Sequence, residues 1–94
     1  MSQREKKITE LEDLLCVLQS LVRDYKFSAF MVIRFEDELL SQDLPNEVLE
    51  AYRKRVAAEK DKLMEYSEKI QEMLIKIGKV IREIDAELRK DEES

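Results

Sequence analysis

Carboxylate pairs are the residues of this chain whose type and spacing come closest to a catalytic arrangement. In three pairs the members are three residues apart, so both carboxylates share one side of a helix. These pairs are Glu10 and Asp13, Glu47 and Glu50, and Glu65 and Glu68. Helical hydrolases that use metal ions carry such pairs on the inward faces of a bundle. Here the pairs lie largely off the apolar rows, and such spacings arise by chance among 22 acidic residues. A metal-carboxylate hydrolase is therefore only an alternative, and we predict no metal site.

Other kinds of catalytic chemistry lack their usual residues. Without a histidine the chain cannot form a Ser-His or Cys-His nucleophile pair, and one glycine cannot make a glycine-rich phosphate loop. Cys16 is the only cysteine, so the sequence excludes an internal disulfide and a thiolate zinc site. We expect Cys16 to pack as a small apolar residue. The prediction is a protein that is not an enzyme and that needs no cofactor.

The chain has one cluster of cations, and nucleic-acid binding is the function that such a cluster could support. The cluster consists of Arg53, Lys54, Arg55 and Lys60. A net charge of −5 disfavours general binding to nucleic acid. The simpler interpretation is a solvated face whose cations pair with Glu50, Glu59 or the acids 36–38 of a neighbouring helix. A nucleic-acid-associated accessory protein is therefore the second alternative.

Length and composition indicate one small domain made of long helices. The 94 residues are 41% charged and 44% apolar, with one glycine and one proline, which is typical of coiled coils rather than sheets. The longest uncharged run covers only nine residues, 14–22, whereas a helix needs about 20 residues to cross a bilayer. The start of the sequence does not resemble a signal peptide. We expect a soluble cytoplasmic protein.

The first helix is predicted over residues 3–40, with a capping box at Ser2 and Glu5 or at Thr9 and Glu12. Apolar residues then alternate at spacings of three and four, which is a heptad pattern with Ile8 at position a. The predicted a and d rows contain Ile8, Leu11, Leu15, Leu18, Val22, Tyr25, Ala29 and Val32. Leu14, Leu21 and Phe35 fall at position g and widen this stripe.

Residues 25–35 hold all three phenylalanines and are apolar in every direction. A strand would need alternating apolar and polar residues and a second strand to pair with, and the chain offers neither. The helical interpretation places Phe27, Phe30 and Met31 on the far side from the a and d rows. A lone helical hairpin would leave these three side chains in water.

The only proline predicts a turn at 41–44, with Asp43 as the N-cap of a second helix over 45–90 and a frayed acidic tail at 91–94. The apolar seam of this helix contains Leu49, Tyr52, Val56, Glu59, Leu63, Tyr66, Ile70, Met73, Ile77, Val80 and Ile84. A neighbouring row, Leu74, Ile81 and Leu88, exists only in its later half. Gly78 lies in mid-helix, where glycine costs about 1 kcal/mol relative to alanine.

A short turn between long helices predicts an all-α, coiled-coil-like antiparallel hairpin. If the turn centres near residue 43, Ile8 lies near Gly78 and the second helix has no partner beyond that point. The residues predicted to bind a partner are therefore Phe27, Phe30, Met31, Phe35, Val80, Ile81, Ile84 and Leu88. Since two helices alone rarely bury enough area, we expect a homodimer or tetramer that forms a helical bundle, or a complex with another protein. The predicted function is a non-enzymatic interaction or assembly protein, such as an adaptor or regulatory subunit.

Overall fold

The computed structural model describes residues 2–41 and 43–93 of the chain, and these residues form two helices. Helix α1 spans Gln3–Ser41 and helix α2 spans Asn46–Glu93. The described residues contain no strand, so the predicted all-α class is confirmed and residues 25–35 are helical throughout. Neither helix has, within these residues, an apolar stretch long enough to traverse a lipid bilayer.

The first predicted capping box forms the start of α1. The backbone amide of Glu5 donates to Ser2 Oγ at 3.1 Å, and the amide of Ser2 donates to Glu5 Oε2 at 3.4 Å. Two backbone donors that the first turn of a helix leaves without partners are thereby satisfied. Thr9, the other candidate cap, instead donates its hydroxyl to the Glu5 carbonyl within the helix.

The start and the end of α2 differ from the prediction. The carbonyl of Pro45 accepts the amides of Val48 and Leu49, so Pro45 occupies the N-cap position that was predicted for Asp43. At the other end the helix continues to Glu93, and the predicted frayed tail is helical up to that residue. Part of the predicted turn and tail, Gln42 and Ser94, lies outside the described residues.

The chain divides into two compact units. Unit 1 consists of Met1–Leu21 and Lys69–Ser94, and unit 2 consists of Val22–Glu68. Among the described apolar side chains, Ile77 and Val80 form the buried core of unit 1, and Val32 and Val56 that of unit 2. No large side chain in the described part is completely enclosed. Each unit therefore has a thin core.

The predicted seam of α2 is confirmed, because every one of its members from Leu49 to Ile84 is buried or half-buried. The predicted a and d seam of α1 is wrong for the first part of its a row, where Ile8, Leu15 and Val22 are exposed. The d row and the g row are turned inward, with Ser28 and Val32 buried, except that Tyr25 of the d row is 39% exposed. A single partner helix can cover only two adjacent rows, and α1 has three that are mostly apolar.

Candidate interaction surfaces

Three strongly exposed apolar residues of unit 2 form a row on α1 that we call the aromatic ridge. It consists of Phe27, Phe30 and Ile33, whose exposed fractions lie between 61% and 66%. Spacings of three residues keep these side chains next to one another on the helix surface. Ile33 was not among the predicted contact residues, although its position three residues after Phe30 could have indicated it. The ridge presents a contiguous apolar surface that no other part of unit 2 covers.

Met31 and Phe35 were predicted to belong to the same cluster, and both are half-buried instead of exposed. The expectation that a lone hairpin would leave Met31 in water is therefore wrong. The ring of Phe35 lies 5.8 Å from that of Tyr52, centroid to centroid, and the Arg55 guanidinium lies 5.4 Å from the Phe35 centroid. These are ordinary distances for a tilted aromatic pair and a cation–π contact. Phe35 thus joins α1 to α2 inside unit 2.

A hydrogen bond between a phenol and a carboxylate completes this junction. The phenol of Tyr52 donates a hydrogen bond to the Glu38 carboxylate, and this bond, with the negative charge itself, raises the pKa of Tyr52. The nearby Arg55 cation acts in the opposite direction. The closed end of unit 2 is therefore held by aromatic, cationic and hydrogen-bonding contacts together.

Unit 1 has a second exposed apolar surface, which we call the apolar flank. Its members have exposed fractions between 40% and 53% and share a heptad spacing on each helix. They are Ile8 and Leu15 on α1, and Leu74, Ile81 and Leu88 on α2. The α2 row was recognised in the sequence, and Ile81 and Leu88 were predicted to contact a partner. Ile8 and Leu15, the α1 members, are predicted from the sequence to lie in the core instead.

The sequence predicts that the part of α2 after Gly78 is uncovered, and this prediction is wrong for Val80 and Ile84. Val80 has an exposed fraction of only 4%, and Ile84 is half-buried. Lys7 donates a hydrogen bond to the Glu83 carboxylate, which places the start of α1 beside this part of α2. The bond raises the pKa of Lys7 and lowers that of Glu83, because each charge stabilises the other.

The four cations of the predicted basic cluster do not share one face. Arg55 lies over Phe35, and Lys60 forms an ion pair with Glu36 at 2.7 Å between Nζ and Oε1. Arg53 lines a hollow together with Glu36 and Lys60, whereas Lys54 is exposed at the helical position between Arg53 and Arg55. Adjacent helical residues point about 100° apart, so these charges are spread around α2 and one is neutralised by an acid.

The residues considered for chemistry are all on the surface. Each of the six carboxylates in the three pairs is exposed. Within residues 2–41 and 43–93, histidine, cysteine and acidic side chains form no group of three or more that could hold a metal ion. Cys16 is exposed, so the expectation that it packs inside is wrong.

Comparison with protein families, with curated proteins and with solved structures finds no match to this chain. Its function must therefore be inferred from its own surfaces.

Proposed function

We propose that this chain is a non-enzymatic interaction protein that works through helix–helix contacts and self-associates into a helical bundle. In this role it would serve as an adaptor or a regulatory subunit. The observation that carries the proposal is the aromatic ridge of unit 2. Two phenylalanines and an isoleucine more than half exposed on adjacent turns are unusual on a monomer, and such patches commonly mark contact sites.

The thin core supports the same proposal. Within the described residues only Val32, Val56, Ile77 and Val80 are buried apolar side chains. Hydrophobic burial must offset roughly 1–2 kcal/mol of backbone entropy for every residue that folds, and two helices give it little area to do so. Association would bury the exposed apolar residues and supply the missing stabilisation.

The test is to measure mass by light scattering after size exclusion over a wide concentration range, together with thermal unfolding. We expect more than one chain per particle and an unfolding midpoint that rises with concentration, as mass action requires. A single chain at every concentration, unfolding cooperatively at a constant midpoint, would contradict the proposal.

A matched pair of variants measures the contribution of the ridge. Phe30→Glu places a carboxylate in the middle of the ridge, and Gln19→Glu adds the same charge at an exposed polar position of α1. We expect Phe30→Glu to reduce the mass of the assembly, because an unpaired charge would be buried at the contact. Gln19→Glu should leave the mass unchanged.

A further inference from the structure

We infer that the apolar flank of unit 1 is the surface on which a second copy of this chain packs. The inference deepens the proposed self-association, on which it rests, by assigning it a face and an occupant.

The two rows of the flank lie on the same side of the helix pair. Glu36 belongs to the heptad row of Ile8, and Lys60 belongs to the heptad row of Leu74 and Ile81. In unit 2 these two residues form the 2.7 Å ion pair, so their rows are adjacent there. Within unit 1 itself, the bond from Lys7 to Glu83 brings the heptad rows of these two residues together at one edge of the buried rows. The row of Ile8 and the row of Leu74 and Ile81 lie at the other edge, so they adjoin on the opposite side of the helix pair.

The members of the flank also lie at matching levels. Lys7 contacts Glu83, so Ile8 lies level with the stretch around Ile81. One heptad further along each helix, Leu15 lies level with Leu74. The four side chains therefore form one patch, which Leu88 extends by a further heptad. All five members are aliphatic, so a covering helix would bury no unpaired charge from them.

The opposite side of unit 1 has a different character. A hollow of about 400 Å³ on that side is lined by Glu10, Leu14, Lys76, Lys79, Val80 and Glu83. Four of these six residues are charged, and Glu83 is paired with Lys7. Charges make up most of the lining of this hollow, whereas the members of the flank are all aliphatic, so the apolar flank is the side suited to a partner.

Gly78 provides an independent indication of a close neighbour. It lies four residues after Leu74 and three before Ile81, which puts it beside the flank on the surface of α2. A Cβ added there would meet only Nη1 of Arg82, at 3.5 Å, and Gly78 does not adopt a positive φ. Packing within the chain and backbone conformation therefore do not require a glycine, although glycine destabilises a helix interior. A helix from outside the chain can use the space, since small residues let helices approach closely.

A second copy is the occupant that the thin core favours. Unit 1 buries only Ile77 and Val80 among its described apolar residues, so a cover is needed whenever the chain is folded. Only another copy is always present at the concentration of the chain itself. Three apolar rows on a helix, instead of two, are also the pattern of helices that pack in a bundle. Since the flank consists of two antiparallel rows, it can face an identical flank across a two-fold axis.

The main test compares two isoleucine-to-glutamate variants on α2. Ile81→Glu alters the flank, and Ile75→Glu makes the same change at a residue of α2 that lies outside the flank and is 71% exposed. We expect Ile81→Glu to raise the dissociation constant of the self-associated protein by at least about 100-fold, because each copy would bury an unpaired carboxylate. Ile75→Glu should stay within about threefold of the wild type, the range of ordinary surface substitutions.

Gly78→Ala keeps the test valid if Ile81→Glu fails to fold. Alanine raises helix propensity at this position, so the variant should remain helical, yet its methyl group would separate the partner helix from α2. We expect association to weaken by about tenfold or more. Wild-type affinity in Gly78→Ala, or in a helical Ile81→Glu, would overturn the assignment of the flank and leave self-association through another surface intact. If Ile75→Glu weakened self-association as much as Ile81→Glu does, the assignment of the flank would also be overturned. A wild-type protein that is monomeric would instead contradict the proposed function.

Discussion

The burial of Val80 provides a sharp test of how the two helices are aligned in unit 1. If the second helix had no partner beyond Gly78, replacing Val80 by alanine would remove two methyl groups from a solvated surface. In the structure Val80 is only 4% exposed. Removing two buried carbons costs about 1.6 kcal/mol by transfer, and the cavity left behind adds to this. The higher helix propensity of alanine offsets about 0.5 kcal/mol of this cost. We therefore expect Val80→Ala to destabilise the protein by about 1.5–2 kcal/mol.

Val17→Ala is the matched control for this prediction. Val17 lies in α1 of the same unit and has an exposed fraction of 46%, so the transfer cost is about 0.8 kcal/mol and helix propensity offsets most of it. The assay is thermal unfolding followed by circular dichroism at one concentration for both variants. A difference of about 1.5 kcal/mol corresponds to midpoints about 6–12 °C apart for a chain of this length. If Val80→Ala unfolds no earlier than Val17→Ala, the alignment of the helices in unit 1 is incorrect.

Three further predictions concern polar contacts. Glu83→Gln should lower the unfolding midpoint at neutral pH, because it removes the carboxylate charge that attracts Lys7. The difference in midpoint between the wild type and Glu83→Gln should shrink as the pH falls from the ordinary carboxyl value of 4.5 through the lowered pKa of Glu83, because the carboxylate is then protonated. It should also shrink as the pH rises from 10.5 through the raised pKa of Lys7, because the ammonium then loses its charge. Glu38→Gln should move one tyrosine titration to lower pH in ultraviolet absorbance, and Tyr52→Phe should remove it, since Glu38 raises the pKa of Tyr52. Ser2→Ala should destabilise α1 by about 0.5–1 kcal/mol in chemical denaturation, through loss of the N-cap.

The all-helical class and the seam of α2 could be predicted from the sequence, because both depend on local periodicity. From Leu49 to Ile84 a single pair of apolar rows continues along the helix, so only one side can face inward. Helix α1 offers three rows that are mostly apolar. Which two of them face α2 depends on contacts made across the hairpin, such as the packing of Phe35 on Tyr52. Periodicity within one helix contains no information about that choice.

The alignment at the open end could not be predicted for a geometric reason. In an antiparallel pair, moving the centre of the connection by one residue changes every facing residue number by two. The prediction centred the turn near residue 43, whereas α1 continues to Ser41 and α2 begins only at Asn46. A small error at the proline thus shifts every predicted pairing of facing residues. Helix α1 begins at Gln3 as predicted, and its first turns lie beside α2 beyond Gly78, as the bond from Lys7 to Glu83 shows. The N-cap assignment to Asp43 failed because it depended on the same local boundary.

The exposure of Ile8 and Leu15 has a consequence for how the chain achieves stability. If the a and d rows of α1 had faced α2, the two helices would have covered their best apolar rows and left little reason to associate. Instead the d and g rows face inward, and the buried g position of unit 2 is a serine, Ser28, rather than a large apolar residue. The pair of helices therefore encloses a small core while aliphatic rows remain outside. Such an arrangement favours a bundle over an isolated hairpin, because only additional helices can cover a third apolar row.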